Sequence, residues 1–380
     1  MLTRQGVVAL AAAAVLYGLA VWLGYRSLAA LALALVVVPL LGLAHLLRRA
    51  DYDVTRELLP GPRVTAGEPV LVTLTLANRS SRRSPAVEVV EPVGAATRRL
   101  RVPRLAGGAS TTVGYSLDDL PRGRYRIGPL TVDRSDPFGF VAATTACGSV
   151  DTLRVHPRIH PVEPLASGRL RDLDGPAVDK ALEGTVTFHG LREYVRGDDR
   201  RHIHWKSSAR TGTLMVKQHV DVSEPRTAVV LDTCADHHPA ATFEAAVEVA
   251  ASLVAASGRH HFPVVLHDTS GARTAAGRDG VVTGLLDALA GVDATAPGGV
   301  ADVVGRLRDE EVGTSLVLVT GRLTDRDAAA LAAVRRQYDS VVAVVVAGDG
   351  DAPAPPRPPG VRVVTLSGAE ELGRAWQAQH

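Results

Sequence analysis

Between Phe188 and His219 this 380-residue chain concentrates groups able to do chemistry: seven Arg or Lys, three acids and four His, a local balance of +4. The spacing admits more than one use. If Arg201 to Trp205 is a strand, His202 and His204 share a face with Asp198 and Asp199 nearby in sequence. A metal site, or a metal-dependent hydrolase over residues 198–204, can be drawn from that set. The cations with Tyr194 and Trp205 interleaved would suit a nucleic-acid backbone instead. Neither reading is accompanied by a second ligand cluster, a nucleophile motif or a phosphate-cradling loop. A structural role accounts for more of the residue types. Gly197 ahead of Asp198-Asp199 reads as a turn, Ile203 and Trp205 alternate as an inward face, and Arg192, Arg196, Arg201 and Arg210 can fork onto carboxylates such as Glu193 and Asp198. The expectation is a charged clasp with no catalytic residue.

The elements that carry this segment begin with two apolar runs, Gly6 to Gly24 and Leu28 to Leu47, each about 28–30 Å long as a helix and so long enough to cross a bilayer. Only Tyr25, Arg26 and Ser27 separate them, which predicts a tight helical hairpin over residues 1–50, with Pro39 tolerated and Trp22 and Tyr25 at an interface. Arg4, Arg48, Arg49 and Arg56 outnumber the loop's Arg26, so both termini and everything after Asp51 are expected on the cytoplasmic side of the plasma membrane. A cleaved signal peptide is a poorer match, because the apolar run is too long and no small-residue cleavage site follows it. The first 50 residues hold four Arg and no acid, leaving 38 basic against 40 acidic groups in the remainder. The pI of about 8.6 is thus an N-terminal effect, and no nucleic-acid partner is expected from it. Two cysteines, Cys147 and Cys234, are too few for a disulfide framework and suit a reducing compartment.

Residues 51–155 alternate with period two, as in Val70 to Leu76, Ala86 to Val90, Thr111 to Leu117 and Leu130 to Val132. Turn residues punctuate them, which predicts an antiparallel, immunoglobulin-like β-sandwich. Residues 156–225 read as a linker carrying the charged segment. From 226 to 380 short apolar strands (Ala228 to Leu231, Val264 to His267, Leu316 to Thr320, Val341 to Val346, Val361 to Leu366) alternate with helices (Ala240 to Ser257, Asp325 to Gln337, Gly368 to about Gln379). That pattern predicts an α/β domain with a mainly parallel sheet. Asp232 to His238 contains no glycine, which argues against a Rossmann phosphate loop. His237-His238 and His260-His261 fall near element boundaries and read as solvated loop residues. Pro353 to Pro359 reads as a stiff connector.

The run Arg192-Glu193-Tyr194, Gly197-Asp198, Arg201, Ile203, Trp205 and Ser208-Ala209-Arg210-Thr211 resembles the signature of the bacterial family known as domain of unknown function 58. Arg122-Gly123-Arg124-Tyr125, Gly128-Pro129-Leu130 and Asp136-Pro137-Phe138-Gly139 are similar to that family's second recurrent segment. The resemblance implies a membrane hairpin, a β-rich region and a von Willebrand factor A-like C-terminal domain. It also implies a MoxR-type AAA+ ATPase as partner, often with a transglutaminase-like membrane protein. Such an A-like domain holds a divalent cation through hard oxygens. Here Asp232 stands at the first position, Cys234 and Asp236 replace the expected hydroxyls, and Gly321 follows Thr320 where an acid is expected. The resemblance therefore implies a degenerate site without metal and no cofactor. The resulting expectation is a non-enzymatic, membrane-anchored scaffold in assembly, maturation or envelope processes.

Overall fold

Thr3 starts the first helix as its N-cap, its side chain accepting from Gly6 N, and α1 runs Arg4–Leu23 until Gly24 takes the left-handed conformation that ends it. The second helix, α2, spans Arg26–Leu47 and contains Pro39. Arg26 and Ser27 therefore belong to α2 and the connection is shorter than expected, because the glycine cap turns the chain within one residue. Ala9, Ala13, Ala20 and Ala32 are buried where the helices meet, small side chains that let two backbones approach closely. The computed structural model describes residues 2–47, 52–136, 138–165, 187–195, 203–220, 226–239, 242–277, 279, 281–294, 299–307, 315–348 and 354–378. It divides into two units, Met1–Pro157 and Arg158–His380.

Ten strands follow the helices in the first unit: β1 (Tyr52–Leu59), β2 (Arg63–Thr65), β3 (Val70–Asn78), β4 (Val87–Val93), β5 (Ala96–Val102), β6 (Ser110–Leu117), β7 (Gly123–Ile127), β8 (Leu130–Ser135), β9 (Ala142–Cys147) and β10 (Asp151–His156). One sheet is ordered β1-β3-β6 and the other β2-β10-β7-β4-β8-β9, with β5 paired to β4. Only the β2–β10 pairing is parallel. The alternation in β3 sets the packing: Val70, Val72, Leu74 and Leu76 are all fully buried. Leu74 and Leu76 lie with Val89, Leu130 and Val132 of the facing sheet in one core cluster, which makes the pair a sandwich. β5 is missed by an apolar pattern because Arg98, Arg99 and Arg101 line it. Charge is expected on a strand paired on one side only.

A buried ion cluster ties the two sheets. Arg56 of β1 donates from Nε to Glu91 Oε1 at 2.8 Å and from Nη1 to Asp151 Oδ2 at 2.5 Å, and the Tyr115 hydroxyl donates to Glu91 Oε2 at 2.6 Å. The Glu91 side chain has no exposure and that of Arg56 only 2%. Burial on its own would lower the Arg56 pKa, but the bonds to Asp151 and Glu91 outweigh it and the net shift is upward. Burial, then the Glu91 bond, raises the Tyr115 phenol. Gly128, at φ +86, leaves room for this cluster, since a Cβ there would lie 2.5 Å from Arg56 Nη2. The Tyr125 hydroxyl donates to Pro121 O, four residues upstream, at 2.9 Å. Gly94 and Gly123 lie flat against its ring, and together they form a corner of the tyrosine type.

In the second unit, β11 (Thr187–Glu193) pairs antiparallel with β12 (Met215–Val220), and α3 (Trp205–Thr211) lies between them in sequence. The remaining elements are β13 (Thr227–Leu231), α4 (Thr242–Arg259), β14 (Val264–Asp268), β15 (Arg273–Ala276), α5 (Thr283–Leu289), α6 (Val300–Leu307), β16 (Ser315–Thr320), α7 (Asp325–Val334), β17 (Ser340–Val346), β18 (Arg362–Leu366) and α8 (Leu372–Gln377). The sheet order is β15-β14-β13-β16-β17-β18, with β15 alone antiparallel. Val229 and Leu231 of the fully buried β13 face a cluster with α4, α5 and α8. Ala228 and Val230 face one with α6 and α7. Both faces of the sheet are therefore covered. Arg158–Leu165, expected to be linker, packs against this unit instead: His160 bonds Glu248 at 2.8 Å, and Val162 and Leu165 join the α4 cluster.

Removing Glu91 from the sandwich's ion cluster strips the buried guanidinium of its fully buried partner and leaves it only the partly exposed Asp151. Glu91→Ala is expected to cost about 3–5 kcal/mol in urea unfolding, and a paired Arg56→Met, Glu91→Leu variant to recover most of it.

Candidate functional site

Strand order reverses between β13 and β16, and Asp232 leaves the sheet at that switch point, at the carboxyl ends of the parallel strands where open α/β sheets bind ligands. Its backbone N–H still reaches Val319 O at 2.8 Å, so the central ladder delivers the carboxylate to a fixed place. The side chain has no exposure, so its charge must be met internally. Oδ1 accepts from Cys234 N at 3.0 Å and from Thr269 Oγ1 at 3.4 Å. Oδ2 accepts from Thr320 Oγ1 and from His237 Nδ1, each at 2.7 Å. Four donors, three from loops or turns and one from the end of β16, thus converge on one carboxylate.

His238 completes the arrangement. Its Nε2 donates to Asp232 O at 2.8 Å, which fixes the neutral tautomer and leaves Nδ1 a lone pair with no partner among the described residues. Protonating Nδ1 would bury an unsatisfied N–H, and burial accordingly lowers the pKa of this histidine. Phe243 meets the ring edge-on at 5.1 Å. Gly321 lies against the same histidine pair: a Cβ there would strike His237 O and sit 2.7 Å from His238 Nδ1. An acid after Thr320 has no space, which is the physical reason that position is glycine. His237 and His238, expected to be solvated loop residues, are instead bonded to Asp232: the 3-10 turn Ala235–His237 brings the first to the buried carboxylate and the residue after it to the backbone carbonyl.

These residues do not fit the divalent cation that an A-like domain would hold. Both oxygens of Asp232 are engaged by protein donors, the imidazole of His237 stands against Oδ2, Cys234 is a buried soft thiol, and Asp236 is exposed. Among the described residues no group of three or more His, Cys, Asp or Glu is arranged to hold a metal. Thr269, Thr320, His237 and His238 are absent from the site the residue pattern suggested. Thr320 alone had a signal, being the hydroxyl at the end of an apolar strand.

The charged segment divides between described and undescribed residues. Gly197, Asp198, Arg201 and His202, to which the expected clasp and histidine pair belong, lie outside the described residues. Arg192 and Glu193 close β11 opposite Val216 and Met215 of β12, and Tyr194 N donates to Leu214 O at 2.7 Å. Ile203 is buried and bridges to Val216. Trp205 does not alternate with it on an inward face. It begins α3 and is 68% exposed, because His204 caps that helix by accepting from Ser207 N at 3.2 Å. Ser208 Oγ accepts from Met215 N at 2.8 Å. Ala209 and Arg210 complete α3 before Gly212 ends it in the left-handed region.

Residues 190–374 match the family model described as Protein of unknown function DUF58. The match spans both the charged segment and the Asp232 site. The uncharacterized protein YeaD of Bacillus subtilis (strain 168) is 28% identical over 176 residues, 44% of this chain, and the chain spans 41% of that relative's length. Among solved structures, the CARDB domain of PF1109 from Pyrococcus furiosus is 15% identical over 28% of this chain and 93% of that one, with a TM-score of 0.22. The putative ApaA protein from Bordetella pertussis is 14% identical over 28% and 94%, with a TM-score of 0.21. Scores of this size leave the architecture to be argued from the sheets themselves.

Outside the DUF58 match, the segment Asp136–Gly139 fastens the sandwich to the helices of its own unit, and of its residues Pro137 lies outside the described set. Asp136 is buried, and its Oδ1 and Oδ2 accept from Val141 N at 2.6 Å and Phe138 N at 3.0 Å. The loop so shaped offers Gly139 O to Thr3 Oγ1 at 2.5 Å and Phe140 O to Thr3 N at 3.0 Å.

A histidine whose folded pKa lies below its unfolded value of about 6.5 contributes stability that is complete above that value and lost as pH falls through the folded one. Thermal melting of the chain is therefore expected to drop as pH falls below about 6.5, and His238→Gln to flatten that slope. A parallel slope in the variant would show that the buried imidazole does not set it.

Proposed function

We propose that the chain is a membrane-anchored, non-enzymatic scaffold or adaptor that works with a MoxR-type AAA+ ATPase in assembly, maturation or envelope processes. The observation that carries this reading is the saturated carboxylate of Asp232. At the end of the sheet where an α/β enzyme keeps an open metal, nucleophile or phosphate cradle, both carboxylate oxygens of this chain's acid are engaged by its own donors. A rigid, closed end of this kind suits a face for binding another protein.

The second unit is read as a von Willebrand factor A-like domain with its cation position filled by protein groups. Support comes from the mainly parallel sheet, the antiparallel edge strand and the acid at the central strand's end. The sandwich is read as immunoglobulin-like, supported by its facing sheets and the Tyr125 corner. Helices α1 and α2 are read as a membrane hairpin with both termini and both units cytoplasmic. Their length and composition suffice for crossing, and Arg4, Arg48 and Arg49 outnumber Arg26. The choice of ATPase, and of a transglutaminase-like membrane protein as a further partner, comes from the family resemblance. No Walker motif occurs in the sequence, so ATP-driven work would belong to the partner.

Crosslinking in native membranes followed by mass spectrometry is expected to recover an AAA+ ATPase on the second unit. Recovery of only unrelated proteins from well-crosslinked samples would overturn the adaptor reading.

A further inference from the structure

The loop Asp136–Val141 meets the helices within their apolar length. A Cβ on Gly6 would strike Phe140 O, and one on Gly42 would lie 3.1 Å from Asp136 Cβ. Gly6 is about 4.5 Å along α1 from Thr3, and Gly42 about 7.5 Å from the end of α2. A loop that touches both is level with the first turn of α1 and lies a little more than one turn before the end of α2. If the helices cross a bilayer, that level is the boundary between headgroups and acyl chains.

The loop is built for such a place in two independent ways. Much of its described backbone is paired within the unit: Asp136 N donates to Val141 O and Gly139 N to Asp136 O, both at 3.0 Å. Asp136 takes the N–H groups of Phe138 and Val141, and Thr3 takes the carbonyls of Gly139 and Phe140. Irregular backbone at membrane depth requires this pairing. Its outward side chain is apolar: Phe138 is 65% exposed and stacks with Phe140 at 6.1 Å, and Leu2, bridged to Val141, is exposed beside them. In water that exposure gains nothing. In the interfacial region an aromatic ring is favoured.

We infer that Phe138 is an interfacial anchor: the Asp136–Val141 loop inserts its aromatic tip into the headgroup–acyl boundary of the lipid around the hairpin and so holds the sandwich at the membrane surface. This rests on the membrane reading of α1 and α2, and the test separates the two. The full chain is reconstituted into phosphatidylcholine vesicles with or without lipid brominated near the headgroup end of its acyl chains. The chain has three tryptophans, Trp22, Trp205 and Trp376, so Trp22 in α1 is read as the difference between wild type and Trp22→Phe, and the loop as the difference between Trp22→Phe and Trp22→Phe with Phe138→Trp. Retained thermal melting shows that the exposed substitution leaves the fold intact. The expected result is bromine quenching of both Trp22 and a tryptophan at position 138, with a blue-shifted emission for the latter. Quenching of Trp22 without quenching at 138 overturns the anchor while the hairpin stands. Absence of quenching at both overturns the hairpin and the anchor with it.

Discussion

A carboxylate with no exposure, held at the end of the central strand of a parallel sheet, sets the terms for the second unit. Asp232 can stay charged there only while donors surround it. The demand shapes everything within reach. The 3-10 turn after Cys234 exists in a form that brings His237 to Oδ2, β16 ends on a hydroxyl, β14 is followed by Thr269, and Gly321 leaves space for the two imidazoles. The loops at the switch point are held to one another through a single acid. This is a rigid arrangement, and one with little capacity left for a ligand at the carboxylate itself.

The same logic recurs in the first unit at two further acids. Glu91 is fully buried and takes Arg56 and Tyr115, joining the two sheets. Asp136 is buried and takes two backbone N–H groups, which shapes the loop that receives Thr3. In each case a carboxylate is matched by donors of the chain's own backbone and side chains, and in each case it joins elements distant in sequence. Such groups give orientation more than net stability.

Much of the architecture is legible in the sequence, for identifiable reasons. The apolar runs before residue 47 and the alternation from Val70 to Leu76 each have one periodicity and one reading. The β-branched runs of β13 and β17 are buried on both faces and stand out in the same way. Less was legible where the pattern is mixed: β5 carries arginines, and β15, α5 and α6 are short. The glycines of the second recurrent segment become intelligible only in three dimensions, Gly123 against Tyr125 and Gly128 against Arg56. The candidate site was legible only in part. Asp232 stands out through the resemblance to an A-like domain, but its partners come from positions up to 88 residues away, and no local spacing announces them. Trp205 was misread because a capping histidine at 204 turns the chain into a helix where alternation suggested a strand.

The central claim is that Asp232 is occupied by its own protein. Calorimetric titration of the full chain with Mg²⁺ or Mn²⁺, alongside Asp232→Ala, tests it most directly. The account predicts no saturable binding that depends on Asp232. Micromolar binding present in the wild type and lost in the variant would contradict it, and would return the site to the metal-dependent class.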